Sequence, residues 1–126
     1  MSIPNNLKYT KEHEWVLVEG NIGTIGVTDY AQGELGDVVY VDIDPAISEI
    51  KKGESIGTIE AVKTVSDIFA PYTGKVVEIN EALKDSPEVV NSDPYGKGWM
   101  IKVEINDAAE LTDLLDSGAY QALIGQ

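Results

Sequence analysis

Residues 54 to 80 read ESIGTIEAVKTVSDIFAPYTGKVVEIN, and the rest of the chain is organised around this stretch. Its β-branched residues predict three short strands, at positions 55 to 59, 65 to 70 and 75 to 79. Residues 60 to 64 leave room only for a tight reversal between the first two strands. Lys63 is therefore expected at or beside the tip of a β-hairpin.

Lys63 has no other lysine or arginine within ten positions on either side, so its amine stands alone in an acidic and apolar stretch. An enzyme that acylates one particular lysine and no other needs an isolated amine on a rigid turn. On the local sequence alone, the alternative is an exposed lysine that only adds a solubilising charge.

The length and charge of the chain limit the kinds of protein it can be. Its 126 residues are enough for one domain, spanning positions 1 to 126, with one hydrophobic core. The 22 acidic residues outnumber 9 basic ones, and the net charge of −13 repels phosphate backbones and anionic membranes. Nucleic acids and membranes are therefore not expected partners, whereas proteins with basic docking faces are.

The composition also argues against catalysis or metal binding by this chain. There is no cysteine, and the single histidine, His13, cannot form a histidine metal cluster or a local triad by itself. Asp42 and Asp44 lack the spacing of a calcium loop. The first ten residues lack the features of a signal or transit peptide. We expect a soluble, non-catalytic protein that stays in the cytoplasm where it is made.

The segments before residue 54 favour further strands and one short helix. Strands are predicted at residues 13 to 18, 22 to 27 and 37 to 43, the first two joined by a tight turn. Thr28 is placed to cap a helix that ends at Leu35, with Gly36 as its stop signal. Residues 47 to 52 predict a loop or a weak strand.

The segments after residue 80 change between helical and strand patterns. Ser86 and Pro87 indicate the start of a helical turn or two within residues 81 to 91. Residues 99 to 105 alternate between apolar and other side chains, which predicts a strand whose core-facing residues are Trp99, Ile101, Val103 and Ile105.

The tail has helical periodicity. Asp107 and Glu110 resemble a capping box, and leucines follow at helical spacing. A second short helix is expected after Gly118, with Tyr120, Leu123 and Ile124 on its apolar face. These apolar positions are interpreted as core packing.

One sequence pattern occurs twice. Residues 22 to 25 and 56 to 59 both read IGTI, and each is followed by a Gly-x-Val-Val segment, at 36 to 39 and at 74 to 77. The repeat predicts two related halves, each giving strands to two facing antiparallel sheets, and chance similarity is the alternative. The longer of the two connectors, residues 60 to 73, carries Lys63.

The order of short motifs along the chain resembles the glycine cleavage system H protein family. In the central stretch the matching residues are Glu60, Val62, Lys63, Ser66, Asp67, Ala70, Pro71 and Gly74. Outside it the matches are Leu7-Lys8-Tyr9, His13-Glu14-Trp15, Gly26, Thr28-Asp29, Ala31-Gln32, Leu35-Gly36-Asp37, Asn91-Ser92, Pro94-Tyr95 and Gly98-Trp99.

The resemblance implies a mainly β fold of the lipoyl/biotinyl-carrier type, a barrel-sandwich hybrid with short helices and a helical C-terminal segment. It also implies lipoic acid joined by an amide to Lys63. The pyridoxal-phosphate-dependent P protein would pass an aminomethyl group from glycine to the lipoyl arm. T protein would transfer the one-carbon unit to tetrahydrofolate, and L protein, a dihydrolipoyl dehydrogenase, would reoxidise the arm. A lipoate ligase or lipoyl/octanoyl transferase would attach the cofactor, and we expect the carrier to be a monomer.

The resemblance further implies that Glu14 and Asp67 line a pocket for the arm. Without it, Glu14 is interpreted as an exposed charge at a strand start and Asp67 as a turn cap. His13 and Trp15 are interpreted as structural, with Trp15 beside the pocket. Tyr30 stands where many family members have histidine, and Glu34 does not replace that imidazole, so no imidazole role is carried over to this position.

Three alternatives accompany the carrier hypothesis. The chain could be a lipoyl or biotinyl domain of another multienzyme complex, although Val62-Lys63-Thr64 lacks the methionines of a biotinyl tip and such domains lack a helical tail. It could be a related protein that distributes lipoate. It could also be an interaction module in which Lys63 is never modified.

Overall fold

The computed structural model describes residues 2–126 as a mainly β protein with short helices. In chain order the strands are β1 Lys8–Tyr9, β2 Glu14–Glu19, β3 Ile22–Val27, β4 Val38–Asp42, β5 Glu49–Ile50, β6 Ser55–Ala61, β7 Val65–Phe69, β8 Gly74–Ile79 and β9 Ile101–Glu104. The α-helices are α1 Asp29–Leu35, α2 Ala82–Asp85, α3 Val89–Ser92 and α4 Ser117–Ile124, and a 3-10 helix covers Ala108–Asp113.

The strands form two antiparallel sheets. The larger has the order β1-β2-β3-β9-β8-β5, and the smaller has the order β4-β6-β7. Residues of both sheets supply the main hydrophobic core, which includes Val16, Ile25, Ile59, Ile68 and Ile101. The predicted architecture of two antiparallel sheets with short helices is confirmed.

A second, smaller core is aromatic, whereas a single hydrophobic core was expected from the chain length. It joins the start of the chain to its end, because Tyr9 of β1 stacks on Tyr120 of α4 with ring centroids 4.6 Å apart. Trp15 and Leu7 complete the buried set. Strand β1 was not predicted, because two paired residues are too few for a periodic signal; it is held by β2 on one side and by a bridge from Tyr9 to Leu115.

Helix α1 forms where the capping residues predict it. The Thr28 side chain accepts a hydrogen bond from the backbone N–H of Ala31, and Gly36 ends the helix at a φ of +80°. This helix leads directly into β4, so its C-terminal end lies at the edge of the smaller sheet.

Strand β4 carries a β-bulge that the sequence pattern did not indicate. Val38 pairs with Ala61 of β6 and Tyr40 pairs with Glu60, so Val39 is the extra residue at the shift in register. A bulge puts one extra residue on one side of the strand, and both Val39 and Tyr40 are exposed. The strand predicted at residues 37 to 43 forms as β4, and the bulge interrupts its alternation at this point.

The two copies of the repeated pattern lie in opposite sheets. The first IGTI segment is in β3 of the larger sheet and its following Val-Val pair is in β4 of the smaller one. The second IGTI segment is in β6 of the smaller sheet and its Val-Val pair is in β8 of the larger one. Each half thus gives a strand to each sheet, as the repeat predicts.

Three predictions for the second half of the chain need correction. Strand β9 covers Ile101–Glu104 and is shorter than predicted. The predicted core-facing pattern also fails at its ends, since Met100 is fully buried while Trp99 and Ile105 are only half-buried. Two helical turns form as expected, but Ser86 lies between α2 and α3 instead of starting a helix.

The expected capping box is only half made. Asp107 accepts from the N–H of Ala109, whereas the Glu110 carboxylate turns away to accept from the N–H and hydroxyl of Thr73. The segment after Asp107 forms a 3-10 helix, and the predicted α-helix with Tyr120 follows as α4. No helix within residues 2–126 is long and apolar enough to cross a membrane.

Candidate functional site

The hairpin between β6 and β7 places Lys63 at its tip. The N–H of Ala61 donates to the carbonyl of Thr64 at 2.9 Å, which closes the turn around Val62 and Lys63. The Lys63 side chain is exposed, and within residues 2–126 it takes part in neither of the two ion pairs. The predicted position of this lysine at a hairpin tip agrees with the structure.

The tip is tied to the end of α1. The N–H of Val62 donates to the carbonyl of Asp37 at 2.9 Å, and the N–H of Lys63 donates to the carbonyl of Leu35 at 3.4 Å. A Cβ atom added at Gly36 would lie 3.3–3.4 Å from Cγ, Cδ and Cε of Lys63. The aliphatic stem of the lysine therefore rests against a glycine that leaves room for it.

A cleft of about 250 Å³ lies beside this hairpin, reaching from the start of β2 to the middle of β7. Its wall contains four carboxylates, one imidazole and several apolar groups. The lining residues are Glu12, His13, Glu14, Val27, Tyr30, Ala31, Glu34, Leu35, Ile59, Ser66 and Asp67. Leu35 connects the cleft to the hairpin tip, because its carbonyl accepts the hydrogen bond from Lys63.

Glu14 contributes a buried carboxyl group to the cleft wall. Only 1% of the residue is exposed, and its oxygens accept hydrogen bonds from the Thr10 hydroxyl at 2.5 Å and the Phe69 N–H at 3.2 Å. Burial raises the pKa of Glu14 to about 7, against the lowering effect of these two hydrogen bonds. The interpretation of Glu14 as an exposed charge is therefore wrong.

Asp67 lies in the same cleft but is exposed. It is in the middle of β7, paired with Thr58, and its Oδ1 accepts a hydrogen bond from the Ser55 hydroxyl at 3.1 Å. The interpretation as a turn cap is wrong. The structure brings Glu14 and Asp67, which are far apart in sequence, to one cleft.

The other residues considered from the sequence divide between cleft and core. His13, Tyr30 and Glu34 line the cleft, and the rings of His13 and Tyr30 lie 4.9 Å apart. Trp15 belongs to the aromatic core and donates from Nε1 to the carbonyl of Pro94 at 3.0 Å, and it is not among the cleft-lining residues.

Sequence reasoning missed the apolar part of the cleft wall, formed by Val27, Ala31, Leu35 and Ile59. Ile59 could be found from the sequence, because it directly precedes the predicted turn and is the last apolar residue of its predicted strand.

A second, larger depression of about 420 Å³ involves Thr10, Lys11 and Glu12 together with Pro71. Its lysine, Lys52, is already paired with Asp113 at 2.7 Å and donates to the carbonyl of Glu110 at 3.1 Å. Neither Lys63 nor the α1 residues that hold it line this depression. The smaller cleft is therefore the site associated with the hairpin.

Replacing Glu14 with Gln is expected to change how stability depends on pH. The unfolded chain releases the Glu14 proton near the ordinary pKa of 4.5, whereas the folded chain holds it to about 7. In the wild type, the contribution of Glu14 to the free energy of unfolding is complete below pH 4.5. It falls by about 3 kcal/mol in total as the pH rises to 7. Urea unfolding of wild type and Glu14→Gln at several pH values measures the difference.

Glu60→Gln is the matched control, because Glu60 is an exposed carboxylate on β6. Since the Glu60 side chain is exposed, its removal should not reproduce the change expected for the buried Glu14. A flat difference for Glu14→Gln would contradict the assignment of a raised pKa to this buried group.

The fold and this site define a class of small β protein that presents one lysine on a tight turn beside a partly apolar, partly acidic cleft. A protein-family model described as Glycine cleavage H-protein matches residues 7–126. The glycine cleavage system H proteins of Staphylococcus haemolyticus (strain JCSC1435) and Staphylococcus carnosus (strain TM300) are each 56% identical over 126 residues, which is the full length of both chains.

A crystal structure of a glycine cleavage system H protein from Mycobacterium marinum has a TM-score of 0.89 and 35% sequence identity to this chain. The match covers 98% of this chain and 100% of that one. The chain belongs to the glycine cleavage H-protein family. The resemblance stated from the sequence is confirmed, and membership in this family replaces the alternative of a carrier domain from another multienzyme complex.

Proposed function

We propose that Lys63 is joined by an amide to lipoic acid, and that the chain carries an aminomethyl group between the enzymes of glycine cleavage. The observation that carries the proposal is the exposed Lys63 at the hairpin tip of a chain that belongs to the H-protein family. The chain itself then acts as a non-catalytic carrier, spanning residues 1 to 126 as one domain.

The state of the Lys63 amine supports acylation. An attaching enzyme must reach the amine and deprotonate it, and an amine in an ion pair resists both. Lys63 is exposed and has no ion-pair partner within residues 2–126. Forming the amide removes the positive charge of the side chain, and here that breaks no existing interaction.

The residues near Lys63 fit a lipoyl group with an amine-bearing cargo. Once attached, lipoic acid would supply a disulfide, of which one sulfur can take the aminomethyl group while the other is left as a thiol. Val27, Ile59 and Leu35 offer apolar contacts for a hydrocarbon arm, and an arm lying against these buried side chains would be shielded from water. The carboxylates of Glu14 and Asp67 lie in the same cleft and would hold a protonated amine.

Glu14 is suited to this role because its environment is already ordered. Two hydrogen bonds, from Thr10 and Phe69, orient the carboxyl group before any cargo enters. A cation in the cleft stabilises the ionised form of Glu14, so that binding of the amine and loss of the Glu14 proton favour each other. Asp67 is exposed and can follow the cargo as it enters or leaves.

Such a carrier meets several enzymes. P protein loads the arm, T protein receives the one-carbon unit, L protein reoxidises the dithiol, and a lipoate ligase or a lipoyl/octanoyl transferase attaches the cofactor. The net charge of −13 favours encounters with basic docking faces on these enzymes. We place the carrier in the cytoplasm, as a monomer.

Intact-mass measurement tests the attachment. The chain is co-expressed with a lipoate ligase and lipoic acid, and its mass is compared with that of chain made without the ligase. We expect one lipoyl adduct per chain, located at Lys63 by peptide mapping. No adduct, a biotinyl adduct, or an adduct on another lysine such as Lys75 would refute the proposed site.

A further inference from the structure

A chain of three buried or half-buried polar groups joins the C-terminal helix to the cleft. The Tyr120 hydroxyl of α4 lies 2.8 Å from Thr28 Oγ1 and 2.8 Å from His13 Nδ1. Thr28 and Tyr120 are both 0% exposed. His13 lines the cleft, so this network connects residue 120 with the cleft wall across a separation of 107 positions.

The direction of these hydrogen bonds follows from the requirement that buried groups be satisfied. Thr28 Oγ1 already accepts from the N–H of Ala31, and its own O–H proton needs an acceptor. Within residues 2–126 the Tyr120 oxygen is the acceptor available to it. Thr28 therefore donates to Tyr120, and Tyr120 donates to Nδ1 of His13.

This order determines which ring nitrogen of His13 carries the proton. Because Nδ1 accepts a hydrogen bond, the neutral imidazole must have its proton on Nε2. Burial raises the pKa of Tyr120 to about 12, so its hydroxyl remains a donor at neutral pH. Burial also lowers the pKa of His13, although Glu12 and Glu34 act in the opposite direction. The neutral imidazole is the form that the site favours.

The backbone at His13 is strained. Its φ of +73° is the single positive φ of a non-glycine residue within residues 2–126, in a region that favours glycine. Hydrogen bonds hold it there, with His13 N–H donating to the Thr10 carbonyl at 3.2 Å and Thr28 N–H donating to the His13 carbonyl at 3.0 Å. The next residue is Glu14, so this conformation sets the direction of the strand that carries the buried carboxyl group.

We propose that Tyr120 is a positioning residue of the cleft, whose hydroxyl holds the His13 imidazole as the Nε2–H tautomer and so fixes the wall formed by His13 and Glu14. This inference rests on the proposed function, in which the cleft wall protects the bound aminomethyl group from hydrolysis. Within residues 2–126 the Nε2 atom has no hydrogen-bond partner from the protein, which leaves this N–H free for an acceptor in the cleft.

Nitrogen NMR of the imidazole tests the tautomer directly. The chain has one histidine, so the two ring signals need no assignment by mutation. Tyr120→Phe keeps the ring that stacks on Tyr9 and removes only the hydroxyl. We expect protonated Nε2 and bare Nδ1 in wild type, and a mixture of tautomers in Tyr120→Phe. Protonated Nδ1 in neutral wild type, or an unchanged tautomer in the variant, would overturn the proposal.

Tyr95→Phe is the matched control, because the Tyr95 hydroxyl bonds to Asp29 and Ser2 and makes no hydrogen bond with His13. Its imidazole signals should match those of wild type. Since this measurement uses unmodified protein, it decides the tautomer whether or not Lys63 carries lipoate.

The lifetime of the loaded carrier tests the positioning role. Each variant is lipoylated, loaded with glycine and P protein, separated, and followed by mass as the cargo is lost. We expect Tyr120→Phe to lose its cargo about fivefold faster than wild type, the factor that corresponds to one ordinary hydrogen bond. His13→Asn, which tolerates the positive φ but has no imidazole, should show the same acceleration.

Equal lifetimes for Tyr120→Phe and wild type would reject the positioning role. If Lys63 is still lipoylated in that variant, the proposed carrier function stands and only this inference fails. If wild type itself takes no lipoyl group, the carrier function fails, and the tautomer result stands separately.

Discussion

Lys63→Arg is expected to abolish glycine cleavage in a reconstituted system of P, T and L proteins. Arginine keeps the positive charge and the exposed position, but its guanidinium stays protonated and does not form the amide. Because Lys63 has no ion-pair partner within residues 2–126, the free energy of unfolding should change by less than about 0.5 kcal/mol. The measurement is NADH formation that depends on glycine, which should fall to the rate seen without carrier.

Lys75→Arg provides the comparison, because Lys75 is also an exposed lysine on a strand of this protein. It should support cleavage at the wild-type rate and take one lipoyl adduct. A Lys63→Arg protein that still supported glycine cleavage would refute the carrier mechanism, since no covalent arm could then be attached at this position.

Gly74→Ala should be among the most destabilising single substitutions in the chain. Gly74 is buried at the start of β8, and a Cβ atom there would overlap the carbonyl oxygen of Glu104 and lie 2.8 Å from Cγ1 of Val103. Those atoms belong to β9, which is paired on both sides and cannot move away freely. We expect a loss of about 3 kcal/mol or more in the free energy of unfolding, measured by urea denaturation.

Gly33→Ala is the control, because it adds a Cβ atom at a position without steric overlap. Gly33 lies in α1 with no atom within 4 Å of the position of an added Cβ, so alanine should stabilise the helix by up to about 1 kcal/mol. Equal effects of the two substitutions on the free energy of unfolding would show that the close approach of β8 and β9 does not restrict position 74 to glycine.

The local parts of the fold could be predicted because their signals lie within a few residues. The short spacing between two β-rich segments predicted the hairpin and its lysine, and Thr28 with Gly36 predicted both ends of α1. The repeat predicted two sheets. In each case the physical cause, a turn, a cap or a strand period, is contained in the segment itself.

The cleft could be predicted only through family resemblance. The buried Glu14 carboxyl group accepts a hydrogen bond from the N–H of Phe69, 55 positions away. His13 is held by Tyr120 from the other end of the chain. Glu110 fits a local capping pattern in the sequence. In the structure its carboxylate instead accepts from the N–H of Thr73, a residue distant in sequence that has no place in that pattern. Long-range partners of this kind leave no periodic trace in a single sequence.

The hydrogen bonds from Val62 and Lys63 to the end of α1 have a mechanical consequence. They fix the backbone at the point where an arm would join Lys63, because the turn cannot tilt without breaking its hydrogen bonds to the helix end. All reach must then come from rotation about the single bonds beyond the backbone. Successive enzymes would meet the same rigid mount, and the carrier would lose little backbone entropy on visiting each of them.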